Sequence, residues 1–258
     1  MATFLFDEHV FGPIKSRRLG SSLGVNLLST SQKMCNFNCV YCECGLTHQL
    51  TKGEPAFVGK DEFIQELEDK LVAAQMSKTP IDSITFAGNG EPIMHKDFLA
   101  IVKAIKRLRD AYYPYAMIAV LTNGYTLDQE QVKEGLALVD KAIIKLDSGD
   151  SILMEKINQP KGNFPIEKLM ENIENFEGNL IFQTMFLKGC VERKAFDNSC
   201  GALLDQWLEK IEELNPKEVM IYSLDRDTPI GTLEKIPKNE LEAIAEKVAE
   251  FNIVTTVV

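Results

Sequence analysis

Three cysteines, Cys35, Cys39 and Cys42, stand as C-x3-C-x2-C in the run CNFNCVYCEC, and Cys44 follows two residues later. Thiolates three and four residues apart converge on one metal centre from a short loop. Asn36 and Asn38 suit the turns such a loop needs. Zinc would take four ligands, which Cys35, Cys39, Cys42 and either Cys44 or His48 supply. An iron–sulfur cluster would take the thiolates, and three of them leave one iron of a cubane open. An inert set of thiols is the third reading.

A second constellation is AGNGEP, with Gly88, Asn89, Gly90, Glu91 and Pro92. Glycines let the backbone approach a ligand closely, and a carboxylate pairs with an ammonium. Further polar residues close apolar runs, where burial demands a partner. Asn123 sits in a TNG turn. Lys145 and Asp147 alternate with apolar residues and share a face, with Ser148 opposite or in the next loop. Gln183 and Met185 share a face, and Tyr222, Leu224 and Arg226 close a later run. Plainer explanations stand beside each ligand role. Turn chemistry explains Asn123, an internal ion pair explains Lys145 and Asp147, and core packing explains Met185. Arg226 either holds an anionic substrate or pairs with Asp225 or Asp227. Lys15, Arg17 and Arg18 form a local anion site or a solvated turn.

The elements that must position these residues alternate. Strand-like runs at 22–29, 81–88, 117–124, 141–147, 180–189, 218–224 and 253–258 are separated by amphipathic stretches at 61–75, 97–111, 127–139, 166–178, 201–215 and 238–252. In the first stretch Phe63, Ile64, Leu67, Leu71 and Ala74 share a helical face, and Asp61 is placed to cap it. Gly178 stops the helix of 166–178. Apolar strands alternating with helices of this length predict an α/β fold, a parallel sheet with outer helices. A partial (β/α)6 barrel suits the count better than a complete eight-fold one; an open doubly wound sheet is the alternative. In either, the site lies at the carboxyl ends of the strands. The cysteine run follows the first strand, GNGEP the second, TNG the third, LDSGD the fourth and LDRDTP the sixth. One domain over 1–258 is expected, with 1–21 an N-terminal extension, 22–224 the βα core and 225–258 a C-terminal helix and strand.

The chain has 258 residues, 45% hydrophobic and 26% charged, with a net charge of -10. That balance suits a globular protein and argues against a general nucleic-acid or anionic-membrane binder; no DNA or membrane partner is expected. No basic segment followed by a long apolar one opens the sequence, and no apolar run reaches a membrane span. Six cysteines in this length are not a disulfide framework, so a reducing cytoplasm is expected.

C-x3-C-x2-C with Tyr41 just before its last cysteine, after the first strand of a βα repeat and one strand ahead of GNGEP, resembles the radical S-adenosylmethionine (radical SAM) superfamily. The resemblance implies a [4Fe-4S] cluster on Cys35, Cys39 and Cys42, with S-adenosylmethionine on the open iron. One electron would cleave the sulfonium and release a 5′-deoxyadenosyl radical, which abstracts hydrogen from a substrate. It places the methionine amino group at Gly88, Asn89, Gly90 and Glu91 and the adenine side under Tyr41. Lys145, Asp147 and Ser148 fall near ribose and carboxylate, Gln183 near the ribose hydroxyls and Met185 on the adenosyl group, with Asn123 and Leu224 in the same pocket. The reductant would be a flavodoxin or ferredoxin.

Within the superfamily, FGPIKSRRLGSSLGVN, KLDSGD, KINQP and IYSLDRDTP resemble the small proteins grouped with wyosine-type tRNA synthases. That likeness makes RNA or a nucleoside a candidate substrate and offers Lys33 or Lys15 to a pyruvate-derived carbon donor. Wyosine synthases hold a second cluster on cysteines upstream of the first motif, and no cysteine precedes Cys35 here. An auxiliary cluster wants three or four more thiolates, and the three left over are spread out; Cys44 reads as a small loop residue, and Cys190 and Cys200 are given no role. A glycyl-radical-enzyme activase and a non-catalytic metal or electron-transfer module are the competing functions.

Overall fold

A computed structural model describes residues 4–47, 57–161, 166–176 and 179–258. His48 and Gly178, offered above as a zinc ligand and a helix stop, lie outside them. The described residues fall into two compact units. The N-terminal unit holds 5–35, Thr47 and 57–142; the C-terminal unit holds Phe4, 36–46 and the described part of 143–258.

In the N-terminal unit, β1 (Val10–Ser16) pairs antiparallel with β2 (Gly20–Val25). The segment expected as an extension therefore contributes a strand. Ser16 Oγ accepts from the backbone N–H groups of Arg18 and Leu19, which tightens the turn between them. The strand expected over 22–29 stops at Val25. There Asn26 donates its N–H to His9, and its side-chain oxygen takes the N–H of Leu28.

Helix α1 (Lys60–Met76) buries Phe63, Leu67, Leu71 and Ala74, the predicted face with Ile64 at its rim. Gly59, not Asp61, is its N-cap; Asp61 lies inside the first turn, where a carboxylate favours the helix dipole. Next come β3 (Ser83–Phe86), α2 (Phe98–Tyr112), β4 (Met117–Thr122) and α3 (Glu130–Ala137). β2, β3 and β4 are neighbours in parallel register, Ser22 opposite Ser83 and Ser83 opposite Met117. Most of their side chains, among them Leu23, Val25, Ile84, Phe86, Ile118 and Val120, are buried on both faces, as parallel strands covered on both faces require.

After β5 (Lys141–Lys145) the C-terminal unit opens with α4 (Ser151–Asn158), a helix not predicted from the sequence. Asp150 caps it by accepting the N–H of Leu153 at 2.6 Å. Then come α5 (Ile166–Glu174), β6 (Leu180–Met185), β7 (Leu187–Val191), β8 (Lys194–Asp197), α6 (Gly201–Leu214), β9 (Glu218–Tyr222), β10 (Leu233–Lys235), α7 (Lys238–Ala249) and β11 (Val254–Val257). β6 and β11 flank β9 in parallel. The single strand expected over 180–189 breaks at Phe186, and β7 leaves to pair antiparallel with β8 and β10 in a separate small sheet. Trp207 of α6 is buried and donates its indole N–H to Leu146 O and Thr184 Oγ1.

The chain is thus an α/β protein whose larger sheet is mostly parallel, the class the alternation predicts. Among the described residues no helix is long and apolar enough to cross a membrane.

Candidate functional site

In the N-terminal unit the GNGEP segment pairs with Met34, the residue before Cys35. The N–H of Met34 donates to Asn89 O at 2.7 Å, and the N–H of Glu91 donates to Met34 O at 2.9 Å. Gly90 sits between those bonds with φ +143°, and a Cβ added there would lie 1.7 Å from Met34 O. A Cβ on Gly88 would lie 2.4 Å from the side-chain oxygen of Asn26, which takes the N–H of Asn89. Both glycines are required by the close approach of the chain to itself, a nearer cause than the ligand approach expected above.

Asn89 is tied into the loops around it. Its side chain is fully buried, accepting the N–H of Phe6 and donating to the carbonyls of Phe6 and Ser29. Both N–H groups and the oxygen of that amide clamp neighbouring loops. The Glu91 carboxylate is likewise committed. Oε1 accepts from the Thr122 hydroxyl at 2.6 Å and the Ile93 N–H at 3.3 Å, and Oε2 accepts the Asn123 N–H at 2.7 Å. Glu91 ties GNGEP to the end of β4 through these three donors.

Asn123 does two things at once. Its side-chain oxygen takes the N–H of Tyr125, the turn chemistry anticipated, and its Nδ2 donates to Cys35 Sγ at 3.7 Å. Lys33 is buried, where the plainer sequence reading had a solvated cation, while Lys15 is exposed as that reading had it.

In the C-terminal unit the cysteine loop has no regular structure of its own, so other elements must take its backbone groups. The KINQP segment at the end of α4 does this. Asn38 N–H donates to the carbonyls of Asn158 and Gln159, Val40 N–H to Ile157 O, and Lys161 N–H to Asn36 O. Within the loop the N–H of Cys42 returns to Cys39 O and that of Gly45 to Cys42 O.

Beneath the loop lies the Asp147 carboxylate, fully buried. It accepts the Tyr41 hydroxyl, Asn158 Nδ2 at 2.7 Å and the Met185 N–H at 2.9 Å. Lys145 Nζ donates to Tyr41 Oη at 2.5 Å and stands 3.7 Å from Asp147 Oδ2. The Lys145–Asp147 ion pair anticipated above therefore exists, with Tyr41 threaded through it. Asn158 Nδ2 also lies 3.5 Å from Cys39 Sγ. Burial, then the negative charge of Asp147, push the Tyr41 phenol well above its ordinary value. For Lys145 burial alone would lower the ammonium, but Asp147 beside it, with lesser contributions from Tyr222 and Cys39, drives it above its usual range.

The remaining expected residues are placed as follows. Gln183 is half-buried and donates to the Tyr222 hydroxyl at 2.6 Å. Met185 and Leu224 are buried. Ser148 is buried and accepts the N–H of Asp150 at 3.0 Å. Arg226 pairs with Glu43 at 2.7 Å and covers the Phe4 ring, while Asp225 is taken by Lys235. Its expected partners Asp225 and Asp227 lose to a carboxylate 183 residues away that the cysteine loop presents.

None of the six cysteines is in a disulfide among the described residues. Cys39 is buried, Cys35, Cys42, Cys44 and Cys190 half-buried, and Cys200 exposed. Among the described residues no three His, Cys, Asp or Glu side chains gather as they would around one metal ion; a cubane takes each thiolate on a separate iron. The donor chemistry fits a cluster in another respect. Cys35 and Cys39 each accept a side-chain amide N–H, the contact that cluster sulfurs use. Asn158, Thr122 and Asn26 were missed from the sequence. Each lay inside a quoted segment, Asn158 in KINQP, Thr122 in TNG and Asn26 at the end of FGPIKSRRLGSSLGVN, without being given a role.

The profile of the radical SAM superfamily matches residues 30–189. A UPF0026 protein of Methanocaldococcus jannaschii is 31% identical over 246 residues, covering 94% of this chain and 70% of that protein. A protein named GTPase Obg from Brachyspira hyodysenteriae is 28% identical over 252 residues, or 96% of this chain; the chain spans 34% of that relative's length. Among solved structures, a radical SAM methyltransferase from Sphaerobacter thermophilus superposes with a TM-score of 0.68 at 16% identity, over 92% of this chain and 65% of that one.

Gly90→Ala is expected to break the paired hydrogen bonds to Met34 and to lower the denaturant midpoint by the equivalent of about 2 kcal/mol or more, as a clash of backbone on Cβ does. An unchanged midpoint would show that the loop yields at no cost. Alkaline titration gives a second check. Both Tyr41 and Lys145 have folded values raised above their unfolded ones near pH 10. Their stabilisation is complete below that pH and is lost as pH rises through the folded values. The Tyr41 phenolate should therefore appear at 295 nm only together with alkaline unfolding, and Tyr41→Phe should remove one of the six tyrosines from that late step. Reversible ionisation of all six near pH 10 in the folded protein would contradict the buried network.

Proposed function

The chain belongs to the radical SAM superfamily, whose members as a rule bind a [4Fe-4S] cluster and S-adenosylmethionine, and from that premise we propose that it is a radical SAM enzyme. Cys35, Cys39 and Cys42 ligate one [4Fe-4S] cluster, and the residues around GNGEP, TNG and LDSGD bind S-adenosylmethionine. When bound, the cluster and cofactor together supply a one-electron cleavage of the sulfonium and a 5′-deoxyadenosyl radical.

The observation that carries this reading is the backbone pairing of Met34 with Asn89 and Glu91. It fastens the residue preceding Cys35 to the GNGEP loop, so the first motif cysteine and the segment that the family resemblance assigns to the cofactor belong to one hydrogen-bonded piece of the N-terminal unit. Glu91 acts from within that piece. By accepting from Thr122 and Asn123 it fixes the end of β4, and the GNGEP backbone is held ready for the amino group without induced folding. In the C-terminal unit, Asp147 and Lys145 hold the Tyr41 ring in place behind the cysteines. Met185 and Leu224 supply apolar surface for the adenosyl moiety, and Gln183 with Tyr222 a polar contact for its ribose.

The substrate on this reading is a nucleoside or RNA, and the electron comes from a flavodoxin or ferredoxin. With a net charge of -10, the chain would engage RNA through a local site and not through its overall field.

Anaerobically reconstituted protein should carry about four irons per chain. After reduction it should convert S-adenosylmethionine to 5′-deoxyadenosine and methionine, and Cys39→Ala should abolish this. Colourless protein with one zinc, or iron-loaded reduced protein that leaves the cofactor intact, would overturn the proposal.

A further inference from the structure

Two of the three motif cysteines share a feature that the expected ligand roles do not require. Cys35 Sγ receives Nδ2 of Asn123 at 3.7 Å, and Cys39 Sγ receives Nδ2 of Asn158 at 3.5 Å. The two amides come from unrelated elements, the turn after β4 and the last residue of α4. Both are buried, Asn158 completely and Asn123 to 4% exposure. We propose that Asn123 and Asn158 are tuning residues that set the reduction potential of the cluster through one N–H to sulfur hydrogen bond each. This rests on the reading above that these cysteines carry the cluster.

The orientation of each amide is dictated by a second partner, so the donors cannot be exchanged for acceptors by a ring-like flip of the side chain. Asn158 Nδ2 faces the Asp147 carboxylate at 2.7 Å, which accepts only; the nitrogen, not the oxygen, must lie on that side. Its second N–H then faces the sulfur at 3.5 Å, with Tyr41 Oη a competing acceptor at 3.5 Å. Asn158 Oδ1 is buried with no hydrogen-bond partner among the described residues, so the amide is held for what its nitrogen does at the expense of its oxygen. Asn123 is fixed by its oxygen, which accepts the N–H of Tyr125 at 3.0 Å; its nitrogen is thereby turned to Cys35.

A donor aimed at a thiolate sulfur stabilises negative charge. Reduction adds one electron to the cluster, so the reduced form gains more from each N–H than the oxidised form does. The low dielectric of a buried site strengthens that difference. Both asparagines therefore raise the potential and ease electron entry. A purely structural role, clamping α4 or forming the turn, would leave the potential where it is.

The test is a redox titration of the reconstituted full chain, followed by the electron paramagnetic resonance of the reduced cluster. Asn158→Leu removes the donor at nearly constant shape. Asn123→Ser keeps an oxygen for the Tyr125 N–H while being too short to reach Cys35. Asn198→Leu is the control: it removes another buried amide of the same unit, one that donates to Asp147 O and Met185 O and not to sulfur.

Each of the first two variants should shift the one-electron equilibrium about five- to tenfold toward the oxidised cluster, tenfold being 59 mV. The double variant should show the sum, and the control no shift. Iron-replete variants whose equilibrium stays within about twofold of the parent would overturn the inference, as would an equal shift in the control. Should Asn158→Leu fail to hold iron, Asn123→Ser decides. A parent chain that takes up no iron defeats the cluster reading itself, a result separable from unshifted potentials.

Discussion

The buried carboxylate of Asp147 is the interaction on which the rest of the C-terminal unit depends. A carboxylate fully removed from water costs several kcal/mol unless opposite charge and hydrogen bonds compensate. Asp147 collects a hydroxyl from the cysteine loop, an amide from α4, a backbone N–H from β6 and the ammonium of β5. Each of those elements is held in register by the need to satisfy one charge. Removing any donor would leave the charge short of a partner, which is why such networks are lost as a whole and not piecemeal.

From this follows the shape of the cysteine loop. With Asn158 pinned by Asp147, the last carbonyls of α4 are fixed in place and become the acceptors for Asn38 and Val40. A helix C-terminus leaves four carbonyls without intrahelical partners; here the neighbouring loop takes three of the carbonyls near that end, those of Ile157, Asn158 and Gln159. The N-terminal unit repeats the principle with different parts. Glu91 is its buried carboxylate, and the groups it collects are the Thr122 hydroxyl and the N–H groups of Asn123 and Ile93. Each unit thus presents a motif cysteine, Cys35 or Cys39, on a segment tied to a buried acid, with an asparagine amide at the sulfur.

How much of this the sequence displayed depended on range. The three cysteines, GNGEP and the βα alternation are local patterns, and local patterns are legible. The choice of partner across the chain is not. The structural partners of Glu91 were hidden because a carboxylate after glycines is equally suited to an ammonium or to backbone donors, and its hydroxyl donor comes from a strand 31 residues on. Asn89 finds Phe6, 83 residues back. Arg226 finds Glu43 and passes over two adjacent aspartates. Helix α4 escaped notice because its eight residues carry barely two turns of pattern, and the strand at 180–189 hid a break because β6 and β7 are both apolar and nearly contiguous. KINQP was noticed as a resemblance without a reason; its backbone carbonyls are the reason.

The central claim is that three thiolates leave one iron for the amino acid end of S-adenosylmethionine. Electron–nuclear double resonance on the reduced cluster, with cofactor labelled with 15N at the methionine amino group, tests it most directly. The account expects a 15N coupling that is present with the labelled cofactor, absent with unlabelled cofactor and lost in Cys39→Ala. A reduced cubane with the cofactor bound and no 15N coupling would contradict it, because the fourth iron would then be held by something other than the cofactor.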